Sequence, residues 1–129
     1  MITNELNSVA EFHNAFRIAM TDKPTIDLPL DIIKLRFNLM KEENEEYLEA
    51  AENNDMIEVA DALGDMLYIL CGTILSHGMQ NKIQEVFEEI HRSNMSKLGE
   101  DGQPIYREDG KVLKGSNYFK PNIKDILEK

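Results

Sequence analysis

The chain has 129 residues and a formal net charge of −10, from 14 basic and 24 acidic side chains. A chain of this length forms one domain that buries roughly two thirds of the surface exposed on unfolding. The negative charge argues against a nucleic-acid polymer or an anionic membrane as the main partner. The N-terminal residues lack the pattern of a signal peptide, and the single Cys71 cannot form an internal disulfide. We therefore expect a soluble, cytoplasmic protein with one domain over residues 1–129.

The first two predicted helices are separated by a loop that contains two prolines. Apolar residues at helical spacing predict a helix over about residues 5–20, which should end before Pro24. The loop runs to Pro29, a residue that suits the first turn of a helix. We expect a second helix from there to about Glu52.

Acidic residues dominate the stretch 42–65, which holds ten of them and no lysine or arginine. On the second helix, apolar residues occupy one face for two turns, and Glu42 or Glu43 and then Glu46 continue that same face. A solvated helix face would place its acids opposite the apolar residues. These carboxylates are therefore expected to point inward.

A short turn at residues 53–55 leads into a third helix, which should end at Gly78 in a left-handed conformation. One narrow stripe of this helix contains Glu58, Asp61, Asp65, Tyr68, Gly72 and Leu75. Nearly all its other residues are apolar, which predicts a buried helix, with Tyr68 in the core and Gly64 allowing close approach to its neighbour. Because the turn is short, the second and third helices must be antiparallel neighbours whose acids face each other.

Clustered carboxylates without basic neighbours need another source of positive charge, because burial of an unpaired carboxylate is costly. Carboxylate oxygens are hard ligands that suit Mg²⁺ or Mn²⁺, and the chain offers no cysteine pair or histidine cluster for zinc. We therefore predict a divalent-metal site of the kind used in phosphoryl chemistry. Its candidate ligands are Glu42, Glu43, Glu46, Glu58, Asp61 and Asp65.

The C-terminal part, residues 92–129, is mildly basic. A fourth helix is predicted over about residues 80–97, and its apolar stripe continues into Asn94 and Lys97, which could bind phosphate or act only as helix-end residues. Asp109-Gly110 between short apolar runs predicts a β-hairpin over residues 104–114, with Lys114 as a further candidate for phosphate. The helical part should thus cover about residues 5–98 and the hairpin and tail about 99–129, with a terminal turn of helix at 123–127.

The spacing of the acids resembles a known signature. Glu42-Glu43-x-x-Glu46, followed after a short loop by acids on a helix, is similar to the EExxE and ExxD pattern of the all-α nucleoside triphosphate pyrophosphohydrolases. That superfamily includes MazG-type enzymes and phosphoribosyl-ATP pyrophosphohydrolases. Two registers are open for the second half, since Glu58-x-x-Asp61 matches literally whereas the sequence DMLY that begins at Asp65 matches other branches. The segment from His91 to Pro121 resembles a MazG-related branch, so the resemblance spans nearly the whole chain.

The resemblance implies an all-α, MazG-like domain of four to five helices with a small C-terminal hairpin. It also implies Mg²⁺-dependent hydrolysis of a nucleoside triphosphate between the α and β phosphates, giving a nucleoside monophosphate and pyrophosphate. A carboxylate not fully engaged by metal, either Glu43 or Glu46, would then take the proton of the attacking water, and Asn94, Lys97 and Lys114 would meet the phosphates. Members of the family are homodimers or dimers of dimers. Two alternatives remain open: hydrolysis of phosphoribosyl-ATP, and a non-catalytic acidic helical module that binds metal ions or partner helices.

Overall fold

A computed structural model describes residues 2–129, and across that range the chain forms five α-helices and no β-strand. The helices are α1 (Thr3–Ala15), α2 (Leu30–Glu52), α3 (Met56–Ser76), α4 (Ile83–Met95) and α5 (Ile123–Glu128). The all-α prediction is confirmed. The chain divides into two compact units, Met1–Asn81 with α1 to α3 and Lys82–Lys129 with α4 and α5. That both belong to a single domain stays a prediction.

Helices α2 and α3 form the central pair of the first unit, and α1 packs on α3. In the connection between α2 and α3, Asn54 has a left-handed φ of 56°. Asp55 caps α3 by accepting a hydrogen bond of 3.1 Å from the backbone N–H of Glu58. A connection this short makes the two helices antiparallel, as predicted. The buried apolar residues are Leu6, Val9, Ala50, Ala62, Cys71, Ile74 and Leu75.

Helix α1 ends at Ala15, and its predicted extension to about residue 20 is wrong. Arg17 has a φ of 59°, a left-handed conformation that cannot continue an α-helix. The backbone N–H of Ile18 then donates to the carbonyl oxygen of His13 at 2.8 Å. The chain therefore turns away from the helix axis one turn earlier than the apolar spacing indicates.

The other helix boundaries are closer to prediction. Helix α2 begins after Pro29 and ends at Glu52, and α3 is followed by Gly78 with a left-handed φ of 68°. Helix α4 is shorter than the predicted 80–97, because Met79 still bonds back to the carbonyl oxygen of Ile74 at 2.9 Å in the turn that follows α3.

One side of α3 is exposed, contrary to the prediction of a helix buried all round. Leu63, Leu67 and Leu70 expose 51%, 43% and 43% of their surface. By length and composition, α3 is the one helix in the described part of the chain that could cross a membrane, with a mean hydropathy of 1.4. Its carboxylates at Asp61 and Asp65 argue against that, since a charge inside a bilayer is costly. The first unit thus has a core on one side of α3 and an open apolar surface on the other.

The predicted C-terminal hairpin is wrong as a pair of strands. Residues 104–114 form only one isolated antiparallel bridge, between Tyr106 and Val112, around Gly110 with a φ of 86°. Both bridge residues are exposed, and two short segments without a packed face are marginal as a sheet. The predicted terminal turn of helix is present as α5, where the side chain of Asn122 accepts from the N–H of Asp125.

Candidate metal centre

Three carboxylates meet between α2 and α3. One oxygen each of Glu43, Glu46 and Asp65 can be chosen so that all three lie within 4.8 Å of one another. Glu43 and Glu46 are one turn apart on α2, and the antiparallel course of α3 brings Asp65 opposite them. Ligand oxygens on opposite sides of a Mg²⁺ ion are about 4.2 Å apart. The three carboxylates, hereafter the triad, are therefore close enough to share one ion.

Glu43 is the most perturbed member of the triad. Burial raises its pKa to about 7, and a side-chain hydrogen bond to Glu46 and the negative charges of Glu46, Asp65 and Asp61 act in the same direction. Burial and the charges of Asp61 and Glu46 also raise the pKa of Asp65. The Oε2 atom of Glu43 is buried and has no hydrogen-bond partner within residues 2–129. An ionised carboxylate in this position lacks the partner that its burial requires.

The chemistry of the triad fits a divalent cation. None of the salt bridges formed by the described residues involves Glu43, Glu46 or Asp65. Three carboxylate oxygens form a hard ligand set that suits Mg²⁺ or Mn²⁺, and the set contains no thiolate or imidazole of the kind zinc prefers. A bound ion would offset the crowded negative charge.

The other predicted ligands surround the triad. Asp61 is close enough to raise the pKa of Glu43 and Asp65. Glu58 and Asp61 line an open groove of about 460 Å³ together with Glu46. Glu42 is exposed and lies outside the triad. Of the two registers left open by the sequence, the geometry favours the one that begins at Asp65, and metal binding by the outer acids stays a prediction.

Residues 9–94 of the chain match the sequence model of the phosphoribosyl-ATP pyrophosphohydrolase family. The chain belongs to this family. The matched range includes the triad and most of the first unit, so the resemblance to the wider pyrophosphohydrolase superfamily, which was carried by the acidic signature, is confirmed.

Two known proteins are similar to this pyrophosphohydrolase-family chain. The crystal structure of a protein from Exiguobacterium sp. 255-15, whose proposed activity is that of an NTP pyrophosphohydrolase, is similar with a TM-score of 0.53 and 25% identity. The similarity covers 97% of this chain and 94% of that one. The uncharacterized protein L479 of Acanthamoeba polyphaga mimivirus is 29% identical over 94 residues, which are 73% of this chain. The match spans only 34%, about a third, of the length of that viral relative.

The three residues predicted to bind phosphate lie in the second unit of this chain. Asn94 is exposed near the end of α4, and the carbonyl oxygen of Lys97 accepts a 2.8 Å hydrogen bond from the N–H of Gly115. The ammonium group of Lys114 lies 4.7 Å from the ring centroid of Tyr118, a cation–π contact. The ammonium group of Lys114 thus has a local partner, whereas the Lys97 contact involves only its backbone, and phosphate binding by all three residues stays a prediction.

Sequence reasoning missed a cluster of three aromatic side chains beside the triad, hereafter the aromatic platform: Phe12, Phe16 and Tyr68. Tyr68 lies one turn after Asp65 on α3 and exposes 43% of its surface, so its predicted place in the core is wrong. The ring of Phe12 meets Tyr68 edge to face with centroids 5.7 Å apart and stacks on Phe16 at 4.4 Å. The helical spacing of Phe12 and Phe16 indicates a shared face but not that this face is open.

A buried basic pair, Arg36 and His13, was also missed. Arg36 is 8% exposed and donates hydrogen bonds to the carbonyl oxygen of Ile69 at 2.8 Å and to Thr73 Oγ1 at 3.1 Å. Burial and the charge of Arg36 lower the pKa of His13. Both side chains lie against Gly72. The sequence signal for this contact was the position of a glycine on the acidic stripe of α3, where a missing side chain leaves room for a neighbour.

Proposed function

We propose that this chain is a divalent-metal-dependent nucleotide pyrophosphohydrolase, which cleaves a nucleoside triphosphate between its α and β phosphates to a nucleoside monophosphate and pyrophosphate. The observation that carries the proposal is the triad, whose three carboxylates converge within 4.8 Å with no cationic partner among residues 2–129. Membership of the family and the Exiguobacterium neighbour support hydrolysis of a phosphoric anhydride.

The triad would hold Mg²⁺, with Mn²⁺ as a substitute. When bound, such an ion binds phosphate oxygens, offsets the charge that develops in the transition state and lowers the pKa of the attacking water. Glu43, Glu46 and Asp65 would be its direct ligands, and the charge of nearby Asp61 would strengthen binding. Glu58 and Asp61, which line the adjoining groove, are placed to hold further ions.

Glu43 is the residue that we propose as general base, with Glu46 as the alternative. The pKa of about 7 belongs to the metal-free triad, and a bound cation lowers it, so the assignment rests on geometry: Oε2 of Glu43 is buried without a hydrogen-bond partner among residues 2–129 and would act as an oxygen not engaged by the ion. The carboxylate would accept the proton of the water as it attacks phosphorus, and the bond to the pyrophosphate would break. Glu46 lies one turn away on the same helix, with a carboxylate oxygen within 4.8 Å of one of the Glu43 oxygens.

The family match favours a second candidate substrate, phosphoribosyl-ATP. It contains the same α–β phosphoanhydride bond, so the triad could serve either compound. A pyrophosphate-release assay separates the possibilities, using canonical ribonucleotides and deoxyribonucleotides and phosphoribosyl-ATP, each with and without Mg²⁺. Release from none of them, together with wild-type behaviour of a Glu46→Gln variant in solution, would favour the non-catalytic acidic module instead.

We also propose that the chain forms a homodimer, or a dimer of dimers, through the open side of α3. Leu63, Leu67 and Leu70 are too exposed for the core helix of a monomer, and a second copy would cover them. The net charge of −10 supports a nucleotide rather than a nucleic-acid polymer or a membrane as the partner, and the single Cys71, which rules out an internal disulfide, fits a reducing, cytoplasmic location. Light scattering at micromolar concentration tests the dimer, and a monomeric mass would contradict it.

A further inference from the structure

The aromatic platform adjoins the triad but has no part in metal binding. Tyr68 follows Asp65 by three residues on α3, and Cβ atoms at this helical spacing are about 5–6 Å apart. All three rings are open: Phe12, Phe16 and Tyr68 expose 38%, 66% and 43% of their surface. An open cluster of aromatic rings is costly to leave in water and commonly marks a place where something binds.

The platform has a defined geometry. Phe12 lies on α1 and Tyr68 on α3, two helices that pack on each other. Their ring planes are at 83°, and those of Phe12 and Phe16 are at 30° with centroids 4.4 Å apart. Rings held in this way offer a rigid face to a flat ligand, with little loss of side-chain freedom on binding.

A buried cation lies beyond the platform. Arg36 precedes Glu43 on α2 by seven residues, a rise of about 10.5 Å, and Gly72 follows Asp65 on α3 by the same number. Because α2 and α3 are antiparallel, the two offsets point in the same direction, and Arg36 does meet Gly72. The helix pair therefore presents carboxylates, then Tyr68, then a guanidinium.

This guanidinium has hydrogen-bonding capacity to spare. Arginine carries five N–H donors, and Arg36 forms two hydrogen bonds, one to the backbone of Ile69 and one to the hydroxyl of Thr73. Neither acceptor is charged, and no carboxylate in the described part of the chain forms a salt bridge with Arg36. A buried positive charge thus lies at the Gly72 end of the helix pair, whereas the triad makes the other end strongly negative.

A nucleotide has the same order of parts: phosphates that carry metal ions, then a sugar, then a planar base with a polar edge. The rise of about 10.5 Å between Glu43 and Arg36 is comparable to the length of a nucleoside. We propose that the aromatic platform stacks the base of the substrate, with Tyr68 as the principal contact and with the buried positive charge of Arg36 at the end of the helix pair away from the triad. This inference rests on the proposed function, because the triad sets the end at which the phosphates lie.

The test compares two ligands that differ by a nucleoside. Inorganic tripolyphosphate and nucleoside triphosphate analogues with a methylene group between the α and β phosphates are titrated by calorimetry in Mg²⁺. The analogues carry each of the four common bases. The variants are Tyr68→Leu and Phe16→Leu, and the matched control is Phe87→Leu, which makes the same change at an equally exposed phenylalanine of α4.

We expect the wild-type chain to bind at least one analogue about tenfold or more tightly than tripolyphosphate, since stacking of one base on an aromatic ring supports a preference of this size. Tyr68→Leu and Phe16→Leu should remove most of this preference and leave the affinity for tripolyphosphate unchanged. Phe87→Leu should change neither. If Tyr68→Leu fails to fold, as judged by circular dichroism, Phe16→Leu still decides the question because Phe16 is 66% exposed.

Three outcomes would overturn the proposal: no wild-type preference for any analogue, an equal loss of affinity for both ligands in the platform variants, or the same loss in Phe87→Leu. Failure of the proposed function looks different. A wild-type chain that releases no pyrophosphate, but whose preference for a nucleotide depends on Tyr68, would retain the base site and lose the catalytic assignment. A chain that hydrolyses nucleotides but has no such preference would retain the catalytic assignment and lose the base site.

Discussion

Gly72 on α3 leaves room for the guanidinium of Arg36 on α2: a Cβ atom at Gly72 would lie 2.5 Å from Arg36 Nη2. The same atom would lie 2.9 Å from Nε2 of His13 on α1. Both neighbours are buried, so neither can move its ring or guanidinium freely into solvent. Three helices meet at this point because one of them has no side chain there.

Gly72→Ala is therefore expected to destabilise the chain by about 1–3 kcal/mol, the usual cost of inserting a methyl group into a packed interior. Urea unfolding followed by circular dichroism measures the change. The matched control is Gly64→Ala on the same helix, where a Cβ atom meets nothing within 4 Å. That variant should be more stable than wild type by up to about 1 kcal/mol, from helix propensity. Equal effects of the two substitutions would contradict the packing described for Gly72.

Replacing Glu46 by glutamine should abolish turnover and leave the metal-free chain at least as stable as wild type. The substitution removes one negative charge from a triad whose oxygens lie within 4.8 Å of one another. In EDTA, the Tm of Glu46→Gln should equal or exceed that of wild type. Mg²⁺ at 100 times its Kd should stabilise wild type by about 2.7 kcal/mol and the variant much less.

The control for Glu46→Gln is Glu45→Gln, at the preceding residue of the same helix. Glu45 is exposed and, among residues 2–129, forms a salt bridge only with Lys41, at 3.9 Å. Such a surface pair contributes little to stability, so this variant should keep both turnover and the Mg²⁺ response. A Tm of Glu46→Gln below wild type in EDTA would show that the carboxylate stabilises the fold without metal, contrary to the reasoning above.

The sequence was sufficient to predict that the three residues of the triad lie close together. Helical spacing places Glu43 and Glu46 on one face of α2 and Asp65 on a stripe of α3, and the short connection at residues 53–55 forces the helices to be antiparallel. These are local rules, and they determine which faces meet. They do not determine helix rotation to within one residue, which is why the sequence left Glu58, Asp61 and Asp65 as equal candidates.

The features that the sequence did not predict depend on contacts between distant residues. The early end of α1 follows from the left-handed Arg17, and no proline or glycine marks that position. The sequence also indicated Gly64 as the point of close approach, whereas the contact lies at Gly72 because the side chains of His13 and Arg36 arrive there from two other helices. The exposure of Tyr68 was unpredictable for the same reason. Its position on the acidic stripe of α3 does not show how far α1 extends over that stripe.

The metal-free chain should lose stability as the pH rises from 4.5 to about 7 through Glu43, whose pKa is raised from 4.5 to about 7 in the folded state. In that window the folded state binds more protons than the unfolded state, so the free energy of unfolding falls with increasing pH and levels off above it. Glu43→Gln remains neutral and should not show this fall. Urea midpoints in EDTA from about pH 5 to about pH 8 measure both.

His13 acts in the opposite direction, so the wild type and Glu43→Gln must be compared by difference. Burial lowers the pKa of His13 below its ordinary 6.5, and below that pH the unfolded state binds more protons, which makes stability rise with pH. Both proteins contain His13, and its contribution cancels in the difference. A difference that does not change between acidic and neutral pH would contradict the raised pKa of Glu43.

Asp65→Asn should weaken metal binding far more than Glu58→Gln, although both acids lie on one stripe of α3. An oxygen of Asp65 is one of the three that converge within 4.8 Å, whereas Glu58 lies in the open groove beyond Glu46. Loss of one of three direct ligands removes a charge at contact distance, and loss of a more distant charge acts only through screened electrostatics. Calorimetric titration with Mn²⁺ should show that Asp65→Asn binds the ion at least tenfold more weakly than wild type, a loss of about 1.4 kcal/mol in binding free energy. Glu58→Gln should show no such loss. Equal losses would move the primary ion toward the groove and favour the register that begins at Glu58.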